Sequence, residues 1–414
     1  MNDIIRGGKK TMKQLLVKNF KALPVALLAL SLSACPAPAP GSQAPSVPGA
    51  LISVGSLGHI LLNWNDSTGG NLTGYNIYKS TDGINFTVPP DSPIAAPTDS
   101  YDDTAVADGV VYWYKVTAVG DAESGFSNTV KDIHGTRLNV SYPAGCTLGA
   151  SGGPYVAEGT VTLENNLIVN GGGALYVKDG AIIDIKAGYR LLVSAGLLRV
   201  VAGPGADHAT FTSHDMNATL DGFSLHLTNA VNYNPLDGSG TLIQNTLIEN
   251  LRNSTQAIWV TGCSPRFYNV KVYDVAPTGL GRLFIESGAA PIIENCFFSK
   301  MTPAVNGDDM RSIAFSMKYN VFTGQYYCIS FYSLDNPGID AGQIELNEFD
   351  GSRPVYLFDM TGSYDVPLGN NYWNGGTGTP PVPGVVPDGT TPITVTCDFD
   401  TALASPPAGA GPTW

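Results

Sequence analysis

One residue type recurs at a near-fixed interval through the second half of the chain, and that recurrence limits the fold more than any other feature. Asparagines sit in similar apolar settings: Asn245 in Leu242-Ile243-Gln244-Asn245-Thr246-Leu247-Ile248, Asn269 in Phe267-Tyr268-Asn269-Val270, and Asn295 in Ile292-Ile293-Glu294-Asn295-Cys296-Phe297. Asn320 follows in Tyr319-Asn320-Val321-Phe322, Asn347 in Leu346-Asn347-Glu348-Phe349, and Asn371 in Asn370-Asn371-Tyr372-Trp373. The intervals are 24, 26, 25, 27 and 24 residues, and Asp221-Gly222-Phe223 lies 24 residues ahead of the first. A period near 25 built from short β-rich runs indicates a solenoid. A helical repeat would need amphipathic runs of ten or more residues, which the segment lacks. Stacked on coils about 4.8 Å apart, the side-chain amides can bond to one another along the axis. A buried asparagine is costly alone and satisfied in such a ladder. The expectation is a single file of Asn245, Asn269, Asn295, Asn320, Asn347 and Asn371 in a domain over residues 136–395.

This region resembles the right-handed parallel β-helix superfamily that includes pectate-lyase-like proteins. Thr210-Phe211-Thr212-Ser213 matches a frequent strand-and-corner segment, and Asn370-Asn371-Tyr372-Trp373 resembles the terminal-coil motif Asn-x-Trp-Gly. Here Trp373 is followed by Asn374 and only then Gly375, a departure from that motif. Open solenoid ends need caps. Residues 136–165 and 376–400 are the candidates, with 396–414 as a Gly/Pro-rich tail.

Residues 49–133 read as a β-sandwich of short alternating strands. Tyr112, Tyr114, Val116 and Ala118 alternate with Trp113, Lys115 and Thr117, which puts the first set on the core face. The stretch resembles a fibronectin type III domain. Trp64 matches the core tryptophan of its second strand, Tyr112 its tyrosine corner, and Glu123-Ser124-Gly125-Phe126-Ser127 the closing turn. The resemblance implies a spacer or protein-contact module, and an all-β chain overall: a fibronectin type III-like sandwich followed by the β-helix.

Ahead of the sandwich, Lys13, Lys18 and Lys21 precede an apolar run, Ala22 to Leu30, too short to span a bilayer. Leu32-Ser33-Ala34-Cys35 resembles the lipobox of bacterial lipoproteins. That resemblance implies that 1–34 is a signal peptide, that Cys35 carries the lipid, and that Pro36 directs the protein outward, to the outer membrane or cell surface. Residues 35–48, rich in Pro and Ala, form a tether reaching roughly 40 Å.

The formal net charge of −13 repels phosphate backbones and sets nucleic acid aside as a partner. The remaining partner classes are the membrane, through Cys35, and an extracellular polysaccharide or protein. Beyond Cys35 the cysteines are Cys146, Cys263, Cys296, Cys328 and Cys397. Their offsets from the asparagines favour buried thiols, with room for one bond involving Cys146 or Cys397, and no Cys/His spacing suggests zinc.

β-Helix hydrolases resemble one another in paired acids on adjacent coils and a Gly-His-Gly segment, but none of the five histidines here lies in Gly-His-Gly. Asp308-Asp309 with Arg311 is the best acidic cluster, able in principle to act as acid and base or to bind Ca²⁺. Asn306-Gly307-Asp308-Asp309 reads more readily as a turn. Asp207-His208 and His214-Asp215 point to opposite faces if extended. Trp259, Tyr326 and Tyr332 fall on expected strands, where an outward ring could stack on sugar. The function expected is a lipid-anchored, non-catalytic surface protein that binds glycan or protein, with no cofactor. The alternatives are a polysaccharide lyase or glycoside hydrolase, for which alone Ca²⁺ enters, and a structural envelope spacer.

Overall fold

The structure is a computed structural model. It describes residues 43–412 apart from 214–222, 251–255, 274–282, 300–304, 309–315, 333–342, 361–363, 374–383, 388–394, 399–402 and a few single positions. The segment expected to be a signal peptide, Cys35 and most of the expected tether therefore lie outside the described residues, as do Asp309, Arg311 and His214-Asp215.

The first module is a sandwich of seven strands: β1 (Gly49–Ser56), β2 (His59–Asn65), β3 (Gly74–Ser80), β4 (Ile94–Ala95), β5 (Ser100–Asp103), β6 (Tyr112–Val119) and β7 (Val130–Asp132). They form two antiparallel sheets, β1-β2-β5 and β4-β3-β6-β7. Alternation along β6 works as the sequence indicates: Tyr112, Tyr114, Val116 and Ala118 are buried with Trp64, Tyr75 and Ile77. The Tyr112 hydroxyl accepts the Ala107 N–H at 3.1 Å, the backbone bond of a tyrosine corner. Tyr114 donates to Asp103 at 2.6 Å, and Lys79 pairs with the same buried carboxylate at 2.7 Å.

The second module is a right-handed parallel β-helix with three sheets visited in turn by each coil. In the early coils, Cys146–Leu148, Leu167–Asn170 and Leu191–Ser194 belong to the first sheet. Tyr155–Ala157, Ala174–Val177 and Leu197–Val200 belong to the second. Thr160–Leu163, Ile182–Ile185 and Ala209–Thr212 belong to the third. Thr136–Arg137 and Ser141–Tyr142 add an incomplete rung below them. Regular parallel pairing already starts at Cys146, so the capping stretch at this end is shorter than 136–165. At the other end, Gly384–Pro387 still pairs within the first sheet, inside the stretch expected to cap. The tail turns back: Leu403 bridges Tyr372, and the Gly411 N–H donates to the Tyr319 carbonyl at 2.7 Å.

The asparagines sit at the corner between the second and third sheets, in two adjacent files. The corner residue itself is left-handed in every coil from Asn245 on: Asn245, Asn269, Asn295, Tyr319, Leu346 and Asn370 have φ of 47, 58, 53, 58, 58 and 57°. Asn245, Asn269 and Asn295 occupy that position, where a short polar side chain tolerates the backbone. The residue after it points inward: Thr246, Val270, Cys296, Asn320, Asn347 and Asn371, all 1% exposed or less. The expected single file is thus corrected to three outer and three inner asparagines, separated by a one-residue step between Asn295 and Asn320.

The inner file is a continuous hydrogen-bonded ladder. Asn320 Nδ2 donates to Asn347 Oδ1 at 2.9 Å, and Asn347 Nδ2 to Asn371 Oδ1 at 3.0 Å. Each oxygen also accepts a backbone N–H from the preceding coil, from Cys296, Asn320 and Asn347 respectively, at 2.9–3.0 Å. Each amide spends a second hydrogen on a carbonyl: Ile293, Met317 and Ile344. In the outer file Asn269 donates to Asn245, which donates to the Ala202 carbonyl at 2.8 Å. Beside the inner ladder, Phe298, Phe322 and Phe349 stack at 5.0 and 4.9 Å.

Cys263, Cys296 and Cys328 are buried free thiols. Cys146 is also free, so the bond that the sequence allowed at Cys146 or Cys397 is not made at Cys146.

Candidate functional site: the outward face of the first sheet

Three coils repeat a triplet in which a ring is flanked by aliphatics: Leu225-His226-Leu227, Ile258-Trp259-Val260 and Leu283-Phe284-Ile285. Parallel register aligns them, so His226, Trp259 and Phe284 form one column, continued below by Leu192 and above by Asn306. The aliphatic neighbours fill the core, which forces the ring positions outward. A second column begins with Thr228, Thr261 and Glu286, and its register continues through positions 308 and 332.

The first column is itself a ladder. The His226 imidazole stacks on Trp259 with centroids 4.2 Å apart and planes within 6°. Phe284 lies 6.2 Å from Trp259 at 56° on the next coil. The Trp259 indole N–H donates to Glu286 Oε2 at 2.9 Å. Trp259 and Glu286 are half-buried, and Phe284 is 8% exposed. Burial pushes His226 down to about 4, helped by the nearby Arg190 cation, so the imidazole is neutral at pH 7. Trp259 is outward, as the sequence allowed, but its two ring faces are turned to the coils below and above. Only the edge of the indole and the Glu286 carboxylate are left for an approaching molecule, and the ring face on the His226 side is closed to face-on stacking of a sugar.

Asp308 ends the strand Val305–Asp308, which pairs with Leu283–Glu286 on one side and Ile329–Tyr332 on the other. The expected turn at Asn306-Gly307-Asp308-Asp309 is therefore corrected through Asp308. Ladder bonds from both neighbouring coils override the local turn preference, and Gly307 takes the inward register position held by Ile285 in the coil below. The register sets Asp308 opposite Glu286, on strands about 4.8 Å apart. Tyr332 joins the same column as Asp308, whereas Tyr326 lies on the same long strand, Val321–Tyr332, outside that pairing. The side chains of Asp308, Tyr326 and Tyr332 lie outside the described residues. Asp207 lies in the short helical turn Gly205–Asp207, and His208 Nδ1 is 2.7 Å from the Gly205 carbonyl oxygen, a local contact. Among the described residues no group of three or more His, Cys, Asp or Glu could hold a metal ion.

His226 and Glu286 were not singled out from the sequence. The signal that could have found His226 is the aliphatic–ring–aliphatic triplet, obscured because intervals of 33 and 25 residues separate the three rings.

Fold and surface define a two-module chain, a fibronectin type III-like sandwich joined to a parallel β-helix with an aromatic and acidic outward face. No family model matches the chain, and no curated protein matches it. Among solved structures, it is similar to a fibronectin type III-like protein from Clostridium thermocellum, at 29% identity over 22% of this chain and 92% of that one, with a TM-score of 0.19. A β-1,2-glucanase from Parabacteroides distasonis matches at 28% identity over 22% of this chain and only 13% of its own length, with a TM-score of 0.20. A pectate lyase from Erwinia chrysanthemi matches at 12% identity over 89% of this chain and 99% of that one, with a TM-score of 0.20.

Proposed function

We propose that this is an exported, lipid-tethered surface protein whose β-helix binds an extracellular, uncharged glycan without cleaving it. The observation that carries this reading is the outward face of the first sheet, where register gathers Trp259, Phe284, Glu286 and the Asp308 position on consecutive coils. Carboxylates accept hydrogen bonds from sugar hydroxyls, and a ring edge offers apolar contact beside them. The formal charge of −13 disfavours polyuronates and sulfated chains. Export and the Cys35 lipid rest on the Leu32-Ser33-Ala34-Cys35 motif, with the sandwich as the element between tether and binding face.

A second reading, a polysaccharide lyase or glycoside hydrolase, gains one observation: the register puts Glu286 opposite Asp308. A glycan array run alongside reducing-sugar and unsaturated-product assays, with and without Ca²⁺, separates the two. Binding of a neutral glycan, weakened at least tenfold by Glu286→Gln and accompanied by no product, is the expected outcome. Product formation abolished by Asp308→Ala would establish the enzyme instead, and an array without any ligand would leave a protein partner or a spacer.

A further inference from the structure

We infer that the sandwich is a rigid pedestal locked to the side of the β-helix through Asp132, rather than a flexible spacer. The inference concerns the joint between the modules and is independent of what the outward face binds.

Asp132 ends β7, the last strand of the sandwich, and its side chain is 3% exposed. Oδ2 accepts the N–H of Gly55 on β1 at 2.9 Å, which ties it to the sandwich. Oδ1 accepts the Ile133 N–H and lies 2.8 Å from Arg137 Nη2 and 2.7 Å from Lys178 Nζ. Lys178 follows the second-sheet strand Ala174–Val177, so one buried carboxylate spans both modules. Glu158 completes the cluster at 3.1 Å from Lys178 and 3.3 Å from Arg137. Two cations and two carboxylates neutralise one another, which makes burial of Asp132 tolerable. A buried ion pair of this kind adds little raw stability against an apolar replacement but selects one arrangement sharply, because every displaced geometry strands a charge.

Five further contacts restrict the same joint. Ile133 packs with Val156 and Tyr176 of the second solenoid sheet in a small apolar cluster. Lys131 of β7 pairs with Asp179 at 3.0 Å, and His134 Nε2 lies 3.0 Å from Asp108 of the sandwich. Gly109 meets Tyr176 so closely that a Cβ there would sit 2.6 Å from the phenol oxygen. The Gly135 N–H donates to the Ser56 carbonyl at 3.0 Å, so the connecting backbone is itself bonded. Ile133 and His134 are 1% and 3% exposed, unlike the residues of a linker that swings freely.

The test is hydrogen exchange measured by mass spectrometry on the full chain. In the native protein, peptides covering 53–58 and 131–137 should exchange as slowly as core peptides covering 112–119 and 191–200. Asp132→Asn removes the charge at constant shape and should speed exchange in the two junction peptides at least tenfold, leaving the core peptides unchanged. Lys178→Met, at a partly exposed position, should act in the same direction and serves as the reading if Asp132→Asn fails to fold. Junction amides that exchange in the native protein as fast as the exposed turn at 69–71 would overturn the pedestal. So would a less than twofold change in the junction peptides of the variants, or an acceleration equal in junction and core.

Discussion

Replacing Asn347 tests the physical basis of the upper half of the β-helix most directly. Its side chain is fully buried, and its two polar atoms make four hydrogen bonds: Oδ1 accepts from Asn320 N and Nδ2, while Nδ2 donates to Met317 O and Asn371 Oδ1. In Asn347→Ala the Asn371 oxygen keeps the backbone N–H of residue 347, so three groups lose their partner: the Asn320 N–H, one Asn320 amide hydrogen and the Met317 carbonyl. A stranded buried group costs about 1–3 kcal/mol, and a water admitted to the vacated space recovers part of that. The expected loss is roughly 3–5 kcal/mol. Asn347→Gly should cost at least as much, because this position requires an amide and has no need of a left-handed backbone. At Asn245 the backbone matters as well. Its φ is 47° and it is half-buried, so Asn245→Gly keeps the left-handed corner and should cost about 1–2 kcal/mol for the lost bonds to the Ala202 carbonyl and Asn269, whereas Asn245→Ala pays an additional 1–2 kcal/mol, roughly, for a left-handed alanine. Guanidinium unfolding followed by far-ultraviolet circular dichroism reads all four variants. If Asn347→Ala lies within 1 kcal/mol of Asn245→Gly, on the order of a single ordinary hydrogen bond, the ladder does not hold these coils together.

Two further outcomes follow from buried titratable groups. Folding lowers the His226 pKa from the ordinary 6.5 to about 4, so between those pH values the unfolded chain takes up a proton that the native protein refuses. Stability should therefore fall as pH drops from 6.5 towards 4. The difference between native protein and His226→Gln should shrink across that window, and a constant difference from pH 7.5 to 4.5 would contradict the burial account. Burial likewise pushes the Cys263 thiol up to about 11 and Cys296 up to about 12, so neither is a thiolate near pH 8. Peptide mapping after alkylation of the folded protein should find Cys146 modified and both of these intact until denaturant is added. Early labelling of Cys296 would show that the coil opens.

Much of the architecture was legible because it depends on spacing. The recurrence of asparagine betrays the coil length, since one amide per turn at one corner has to repeat with the turn. The alternation of Tyr112, Tyr114, Val116 and Ala118 betrays a strand packed on one side, and Tyr112 makes its corner bond to Ala107. The step between Asn295 and Asn320 was hidden by averaging. A 24-residue coil plus one residue of displacement looks like an interval of 25, and coil lengths of 24 to 27 already blur the count. Before Asn245 the coils are held by Leu, Val and Ile without a polar marker, so their pairing, such as Leu167 with Leu191 and then Leu225, leaves no periodic signal in residue type. Asp308 was misread because turn propensity is local, whereas its strand is held by coils on either side. The junction was invisible for a similar reason: Asp132 and Lys178 are 46 residues apart, and nothing near either residue in sequence announces the other.

The left-handed corner residue runs unbroken through Asn245, Asn269, Asn295, Tyr319, Leu346 and Asn370, although the side chain it carries changes from amide to phenol to isobutyl and back. Backbone chirality, more than chemical identity, is the conserved quantity of this solenoid. Aligning such a chain on its asparagines across the boundary after Asn295 would displace every later coil by one position and exchange its lumen for its solvent side. An alignment keyed to the corner keeps Phe322 and Phe349 in the lumen, stacked above Phe298.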